Sequence, residues 1–444
     1  MRTSVLRVLL SGAGVLLSST SPIALAQTPT SSQAPVSACT IASNGDKACL
    51  SGTLTITLTP APVATTPAST SYVCLRNWYI APTGGGLGTQ ASPWPSISAA
   101  DTSGKLAAGD CVNLASGTYP ITANNYLAHG GNANSVSGYV VYRSSIPRGA
   151  KLKATGSMYN MFNVNADYVI FDGLELDGGT GGQVASPTTG GSCLEFDGHH
   201  AQALNNLVHD CGGGGITAVY KDWYWFIGNT VHDCAKFNGY QTSAISIYEP
   251  AKVTFTATAA DTAAIYHIQV NNNNTYANAE TYLPGTNHTD GNGIILDDFL
   301  NTQGNNPNVP AGTVYPYKSL VSANTSHDNG GRAIHIFSST GITVTANTTY
   351  NNVLDQSLLG QERGGLSVVN STNITVTNNK SSAPTSASGL LQYGSAAMDM
   401  RSTGSVWTGN ATLDPRSGTR SLKTDNTILA SSFPTNNPLG GPLP

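Results

Sequence analysis

A five-residue phrase, Asn-x-x-His-Asp, constrains what this chain can fold into more than any other feature. It stands at Asn206 to Asp210, Asn229 to Asp233 and Asn324 to Asp328, with a drifted copy from Asn347 to Asn351. The first two copies start 23 residues apart, and so do the last two. Beyond them come Gly-rich corners and short alternating segments: Gly215 to Ala218, Ala244 to Ile247, Gly293 to Leu296, Ala333 to Ile336 and Gly365 to Val368, with an earlier copy at Leu194 to Phe196. A period in the low twenties with one apolar face per segment is the pattern of a solenoid of parallel strands.

Stacking the copies predicts a register. Alternate residues of a strand share a face, so Ile216, Ile245, Ile294, Ile334 and Leu366 form one inward column. Glu195, Thr217, Ser246, Ile295, His335 and Ser367 form an outward column, and Asp197, Val219, Tyr248, Asp297, Phe337 and Val369 form a second. Coils lie about 4.8 Å apart, so these columns merge into a strip. Asn206, Asn229, Asn324 and Asn347 share a corner and can pass amide hydrogen bonds from coil to coil. His209, His232 and His327 should stack beside them and bond to neighbouring backbone. Trp223 to Phe226 alternates as core, with Tyr224 or Trp225 as a second, sugar-platform reading.

Composition narrows the class. The 444 residues are only 10% charged and include 48 Gly, with a net charge of -4. No Lys/Arg cluster is available to neutralise phosphates, so nucleic acid is not an expected partner. Arg2 and Arg7, an apolar run from Val8 to Leu17 and Ala24-Leu25-Ala26 read as a secretory signal over residues 1–26. No later segment has the length to span a bilayer, so the expected protein is secreted or periplasmic, membrane-free and monomeric. Residues 27–75, rich in Thr, Pro and Ser, read as a lead segment with one hairpin at Thr53 to Leu58, and residues 416–444 as a tail.

All seven Cys lie beyond the signal, in an oxidising compartment. Cys39 with Cys49 and Cys74 with Cys111 are the expected pairs near the start. Cys211 and Cys234 follow the His-Asp phrase in successive coils, within disulfide reach of one another. That pairing is preferred to Cys193–Cys211 and leaves Cys193 over. No C-x-x-C spacing suggests zinc.

The stretch from Trp78 to Ala100, WYIAPTGGGLGTQASPWPSISAA, is followed by LAAGDCVNLASGTY from Leu106 to Tyr119. It resembles the opening of secreted right-handed parallel β-helix proteins of the pectate lyase type. The resemblance implies an all-β fold over residues 76–415: a single right-handed parallel β-helix with a short N-terminal capping helix. It also implies polysaccharide chemistry on the outer face of one sheet. Asp290-Gly291-Asn292-Gly293-Ile294-Ile295-Leu296 is similar to the D-G-x-x-I-x-L strand of the calcium-dependent lyases of polysaccharide lyase family nine. That family's acidic calcium ligands and lysine base are replaced here by Gly331, Arg332, His335 and Ser367, so only Asp290 transfers.

The residues themselves suggest acid–base chemistry. Arg332 can neutralise a carboxylate, and His335 and Asp297 can move a proton. Asp290, Asp297 and Asp298 can instead hold Ca2+. Tyr248, Glu249 and Arg363 are candidate substrate-binding residues, and the segments Asn301 to Pro316 and Lys252 to His288 read as long functional loops. The first functional reading is a polysaccharide lyase acting on a uronic acid-containing polymer by β-elimination. A second is a glycoside hydrolase resembling polygalacturonases, whose N-T-D and D-D motifs are echoed by Thr289-Asp290-Gly291 and Asp297-Asp298. A third is a non-catalytic polysaccharide-binding or surface protein.

Overall fold

A computed structural model describes residues 30–41, 47–58, 72–179, 190–238, 241–280, 288–355, 363–384, 395–413 and 422–424, the first two and the last of these by backbone alone. The chain divides into two compact units, Met1–Thr66 and Pro67–Pro444. In the first, Thr30–Ile41 and Lys47–Leu58 pair as an antiparallel hairpin whose register sets Cys39 opposite Cys49. The expected lead segment is therefore ordered over far more than Thr53 to Leu58. Alternating Thr and β-branched or apolar residues favour extended backbone, and this outweighs the Pro and Ser content. The side chains of Cys39 and Cys49, the secretory signal and the C-terminal tail beyond Thr424 lie outside the described residues.

The second unit holds three all-parallel sheets of 11, 10 and 10 strands, each ordered coil by coil along the axis. One coil runs through Ala201–Leu204, Leu207–His209 and Ile216–Val219, and the next through Tyr224–Ile227, Thr230–His232 and Ile245–Tyr248. This is a right-handed parallel β-helix, the hand adopted by about 98% of parallel strand crossovers. Arg76–Ile80 opens the first sheet, the five-residue helix Ile97–Asp101 follows with Ser96 as its N-cap, and Asp110–Leu114 comes next. That succession is the one expected from Trp78 to Tyr119. Cys74–Cys111 pins the first coil, with Cα atoms 5.4 Å apart.

The inward register holds as expected: Ile216, Ile245, Ile294, Ile334 and Leu366 are successive partners, all at most 2% exposed. Burying each such side chain contributes roughly 1.5–3 kcal/mol. Phe162, Phe171, Phe196 and Phe226 extend the core as a column of rings. Tyr224 belongs to this core, fully buried, and is no sugar platform. Trp225 is held at its edge by an Nε1–H bond to the His267 carbonyl, 3.1 Å.

The corner between the first and second sheets is the spine. One residue takes a left-handed conformation (Asn205, Gly228, Asn272, Ala323, Ala346, Asn378 or Gly409), and a buried Asn follows it. Those Asn side chains link Asn206, Asn229, Asn273, Asn324, Asn347, Asn379 and Asn410 through amide bonds of 2.8–3.0 Å. Asn273, Asn379 and Asn410 escaped the sequence reading because their coils lack the His-Asp phrase. The corner between the second and third sheets tolerates very different lengths, from His209 to Ile216 in one coil and from Tyr276 to Ile294 in another.

His209, His232, Tyr276, His327 and Tyr350 stack on the outer face of the second sheet, with centroids 4.7–5.2 Å apart. Their bonds differ from those expected. Each His Nδ1 meets the carboxylate of the following Asp at 2.7–2.8 Å, because the left-handed Asp turns its side chain back onto the ring.

Cys193, not Cys234, is the partner of Cys211, with Cα atoms 5.7 Å apart, and Cys234 is a buried free thiol. Cys193 ends one corner between the second and third sheets and Cys211 opens the same corner of the next coil, and both belong to the core. Cys234 instead donates to the His232 carbonyl of its own coil. Burial raises its thiol far above the ordinary range.

Two measurements check this architecture. Asn273→Ala removes the acceptor of Asn229 N and Nδ2, takes the side-chain donor from the Phe226 carbonyl, and leaves Asn324 Oδ1 with the backbone N–H of residue 273 alone. At about 1–3 kcal/mol per buried unsatisfied group, it should lower unfolding stability by about 3 kcal/mol or more in denaturant melts. In peptide mapping, Cys234 should resist alkylation in the native protein and react once it is unfolded.

Candidate functional site

The outer face of the third sheet carries the expected columns in the expected register. Glu195 pairs with Thr217, Thr217 with Ser246, Ser246 with Ile295, Ile295 with His335 and His335 with Ser367. Tyr248, Asp297 and Phe337 are successive partners in the other column. Asp297 and His335 thus lie on one face in adjacent coils.

Burial then separates the expected residues. Arg332 is 3% exposed and His335 4%, so neither is open to a polymer. Arg332 donates to the Thr289 carbonyl, and its charge acts on Asp290. Burial, followed by Arg332, drives the His335 imidazole well below its usual range, so it is neutral, and its Nδ1 has no partner. Asp297 is part-buried and its Oδ1 likewise lacks a hydrogen bond. Burial and the charges of Asp290, Asp298 and Glu249 raise it well above the usual carboxylate range.

Asp298 has a structural task. It sits at φ 55° and accepts from Thr302 N and Oγ1 and from Gln303 N at 2.6–2.8 Å, which fixes the start of the loop after Asp297. Glu249, 1% exposed, accepts from Asn305 N at 3.0 Å and anchors the same loop. Tyr248 Oη bonds Gln303 and Asn305 and faces the strip. Arg363, part-buried, leads into Gly364–Val369, and its carbonyl accepts from Ser395 N. Lys252 to His288 is not one loop but contains the helix Ala259–Ala263 and the strands Tyr266–Asn271 and Asn274–Tyr276.

The calcium reading does not fit these residues. Among the described residues, the one trio of metal-type ligand atoms within 4.8 Å of each other is Asp177, His209 and Asp210, far along the chain from Asp290. Asp177 there already pairs with Lys151 at 2.9 Å. Around Asp290, the guanidinium of Arg332 supplies the positive charge, and Asp298 is committed to its loop.

A pair that the sequence placed on the strip without assigning a role has the better geometry. Glu195, on Leu194–Phe196, and Asp197, two residues on, are both part-exposed on the outer face. Glu195 Oε1 accepts from Asn160 Nδ2 at 3.0 Å and from Asn163 Nδ2 at 2.9 Å. Burial, followed by the Asp197 charge, pushes Glu195 up to about 7. Asp197 is also raised by burial, but a bond from Asn163 and the charge of Lys221 favour its ionised form. Both carboxyls are therefore raised, with the rise of Asp197 opposed by Asn163 and Lys221, and neighbouring carboxyls in unlike surroundings are the arrangement that acid–base catalysis uses. The usable signal was outward alternation of two acids on one short strand; the acidity itself depends on Asn160, Asn163 and Lys221, which come from other coils.

No family model matches the chain, and no curated protein matches it. Solved structures do. Pectate lyase Pel9A aligns over 83% of this chain and 80% of its own, at 12% identity and a TM-score of 0.42. The Dettilon tailspike protein aligns over 80% and 70%, at 13% and 0.46. An alginate lyase from Paenibacillus aligns over 68% and 94%, at 14% and 0.36. At such scores the likeness identifies neither substrate nor reaction.

Arg332→Ala tests the structural role. Removing this buried cation, whose charge acts on part-buried Asp290, should cost about 3 kcal/mol or more of unfolding stability. A variant as stable as the wild type would return Arg332 to the list of substrate contacts.

Proposed function

We propose that this protein is a carbohydrate-active enzyme that cleaves a polysaccharide lying along the outer face of the third sheet. The observation that carries the reading is Glu195, a carboxyl held up to about 7 beside Asp197 on an open face. Near neutral pH a good share of Glu195 is protonated while Asp197 is the better candidate for the anion. Hydrolysis follows from that division of labour. Glu195 donates its proton to the glycosidic oxygen as the bond to the anomeric carbon breaks. Asp197 takes a proton from the attacking water, whose oxygen forms the new bond.

Hydrolysis is favoured over β-elimination by where the charges sit. The guanidinium and imidazole that elimination would use, Arg332 and His335, are both buried. Asp297, Tyr248 and Thr217 supply polar groups along the same face for sugar hydroxyls.

Glu195→Gln should lower turnover about 10²–10⁴-fold, the usual contribution of a positioned general acid, with an unchanged melting curve. Because the protonated form acts, wild-type activity should fall as pH rises through about 7, and new reducing ends should appear without an ultraviolet-absorbing double bond. Unsaturated products would mean elimination, and full activity in both Glu195→Gln and Asp197→Asn would remove this pair from the chemistry.

A further inference from the structure

Beside the acid pair, at the corner between the third and first sheets, lies an open cavity of about 340 Å³ lined in part by Asp167, His199, Tyr220, Lys221, Lys252 and Asn308. We infer that this cavity binds a sugar residue bearing an anionic group, a carboxylate or a sulfate ester, carried by the polysaccharide being cleaved. The inference rests on the proposed cleavage for the identity of the polymer, and on the cavity itself for the anion.

An inserted segment builds the cavity. Residues from Ala251 to Ala264 leave the strip after Ile245–Tyr248, and the capping box of Thr258 and Asp261 closes a short helix. Asp261 Oδ1 accepts from Asn134 Nδ2 at 2.8 Å and meets His200 Nε2 at 2.9 Å, which ties the insert to earlier coils. Phe255 packs its ring against His199 and His200, with centroids 5.5 and 4.8 Å away. Lys252, Val253 and Thr254 are thereby held at the rim.

Charge in the cavity is unbalanced. Neither Lys221 nor Lys252 has a carboxylate within ion-pairing distance among the described residues, and the contact recorded for Lys221 Nζ is Asn308 Oδ1 at 3.2 Å. The one carboxylate in the lining, Asp167, is already occupied by His199, whose Nε2 lies 3.1 Å from Oδ2. His199 Nδ1 meets His200 Nδ1 at 2.6 Å, and His200 Nε2 faces Asp261. His200 can satisfy Asp261 only by donating from Nε2. Its bare Nδ1 then accepts from His199 Nδ1. Both Asp167 oxygens are thus engaged by His199, one by its ring and one by its backbone N–H, and the two ammonium groups are left for a ligand.

Size and position indicate a sugar rather than a bare ion. The volume falls at the lower end of the about 300–1,000 Å³ typical of small-molecule sites. Tyr220 offers part of its ring on one side, and Asn308 an amide for a hydroxyl. Tyr220 directly follows Val219 of the outward column and feels the charges of Glu195 and Asp197, while Lys221 acts on both Asp197 and Asp167. A sugar seated here is therefore adjacent to the acid pair. A side branch or end residue fits this corner position, off the axis of the strip.

Calorimetry of the full chain with glucuronate, glucose 6-sulfate and glucose tests the inference, since none of these has a bond to cleave. At least one charged sugar should bind, and glucose at least tenfold more weakly; which charged sugar binds names the substituent. The variant Lys221→Met/Lys252→Met, with an unchanged melting curve, should lose at least tenfold in that affinity. If the double variant fails to fold, Lys252→Met at the exposed rim should still weaken binding severalfold. Glucose binding as tightly as the charged sugars, no binding by either charged sugar, or unchanged affinity in the Lys variants would overturn it. Turnover lost in Glu195→Gln without charged-sugar binding would remove the cavity and keep the cleavage reading, and charged-sugar binding with full Glu195→Gln activity would do the reverse.

Discussion

The fold depends on backbone hydrogen bonds running parallel to the solenoid axis and held in one register by the asparagine spine. A parallel strand alone fixes its neighbour only to within a slip that exchanges inward and outward faces. The buried Asn prevents that slip. The Asn273 oxygen accepts both amides of Asn229 in the preceding coil, while its NH2 donates to the Phe226 carbonyl of that coil and to Asn324 Oδ1 of the following one, so a one-residue shift would break several buried bonds together. Every site geometry described above, from the Glu195 column to the ring stack of His209, inherits its alignment from this corner.

Much of that alignment was legible from the chain. The Asn-x-x-His-Asp phrase identified the spine, and alternation around Ile294 and Ile334 placed two outward columns whose partners are those observed. Coils without the phrase were harder, because Asn273 and Asn379 have no neighbouring His-Asp to mark them. Alternation gives direction and not depth. His335 takes its expected place in the outward column, yet packing buries it together with Arg332, and a buried imidazole beside a guanidinium loses its use as a base. The cysteines show the same limit: vertical stacking made Cys211 and Cys234 neighbours, while the end of one corner and the start of the next joined Cys193 to Cys211.

Two kinds of carboxylate share the outer face. Asp298 and Glu249 are spent on holding the loop after Asp297, Asp298 through both carboxylate oxygens and Glu249 through Oε1. Glu195 and Asp197 are held by side-chain amides from the preceding coil and keep an open edge. The difference is set by neighbours several tens of residues away in sequence, which is why motif spacing did not single out Glu195 and Asp197.

The unequal freedom of the corners has an evolutionary consequence. The tight corner at the asparagines admits almost no change in length, whereas the opposite corners accept anything from a few residues to a small helix. Recognition surfaces can therefore be exchanged one coil at a time without disturbing the frame that supports them. A chain of this design can change its diet by rewriting loops while its skeleton stays the same.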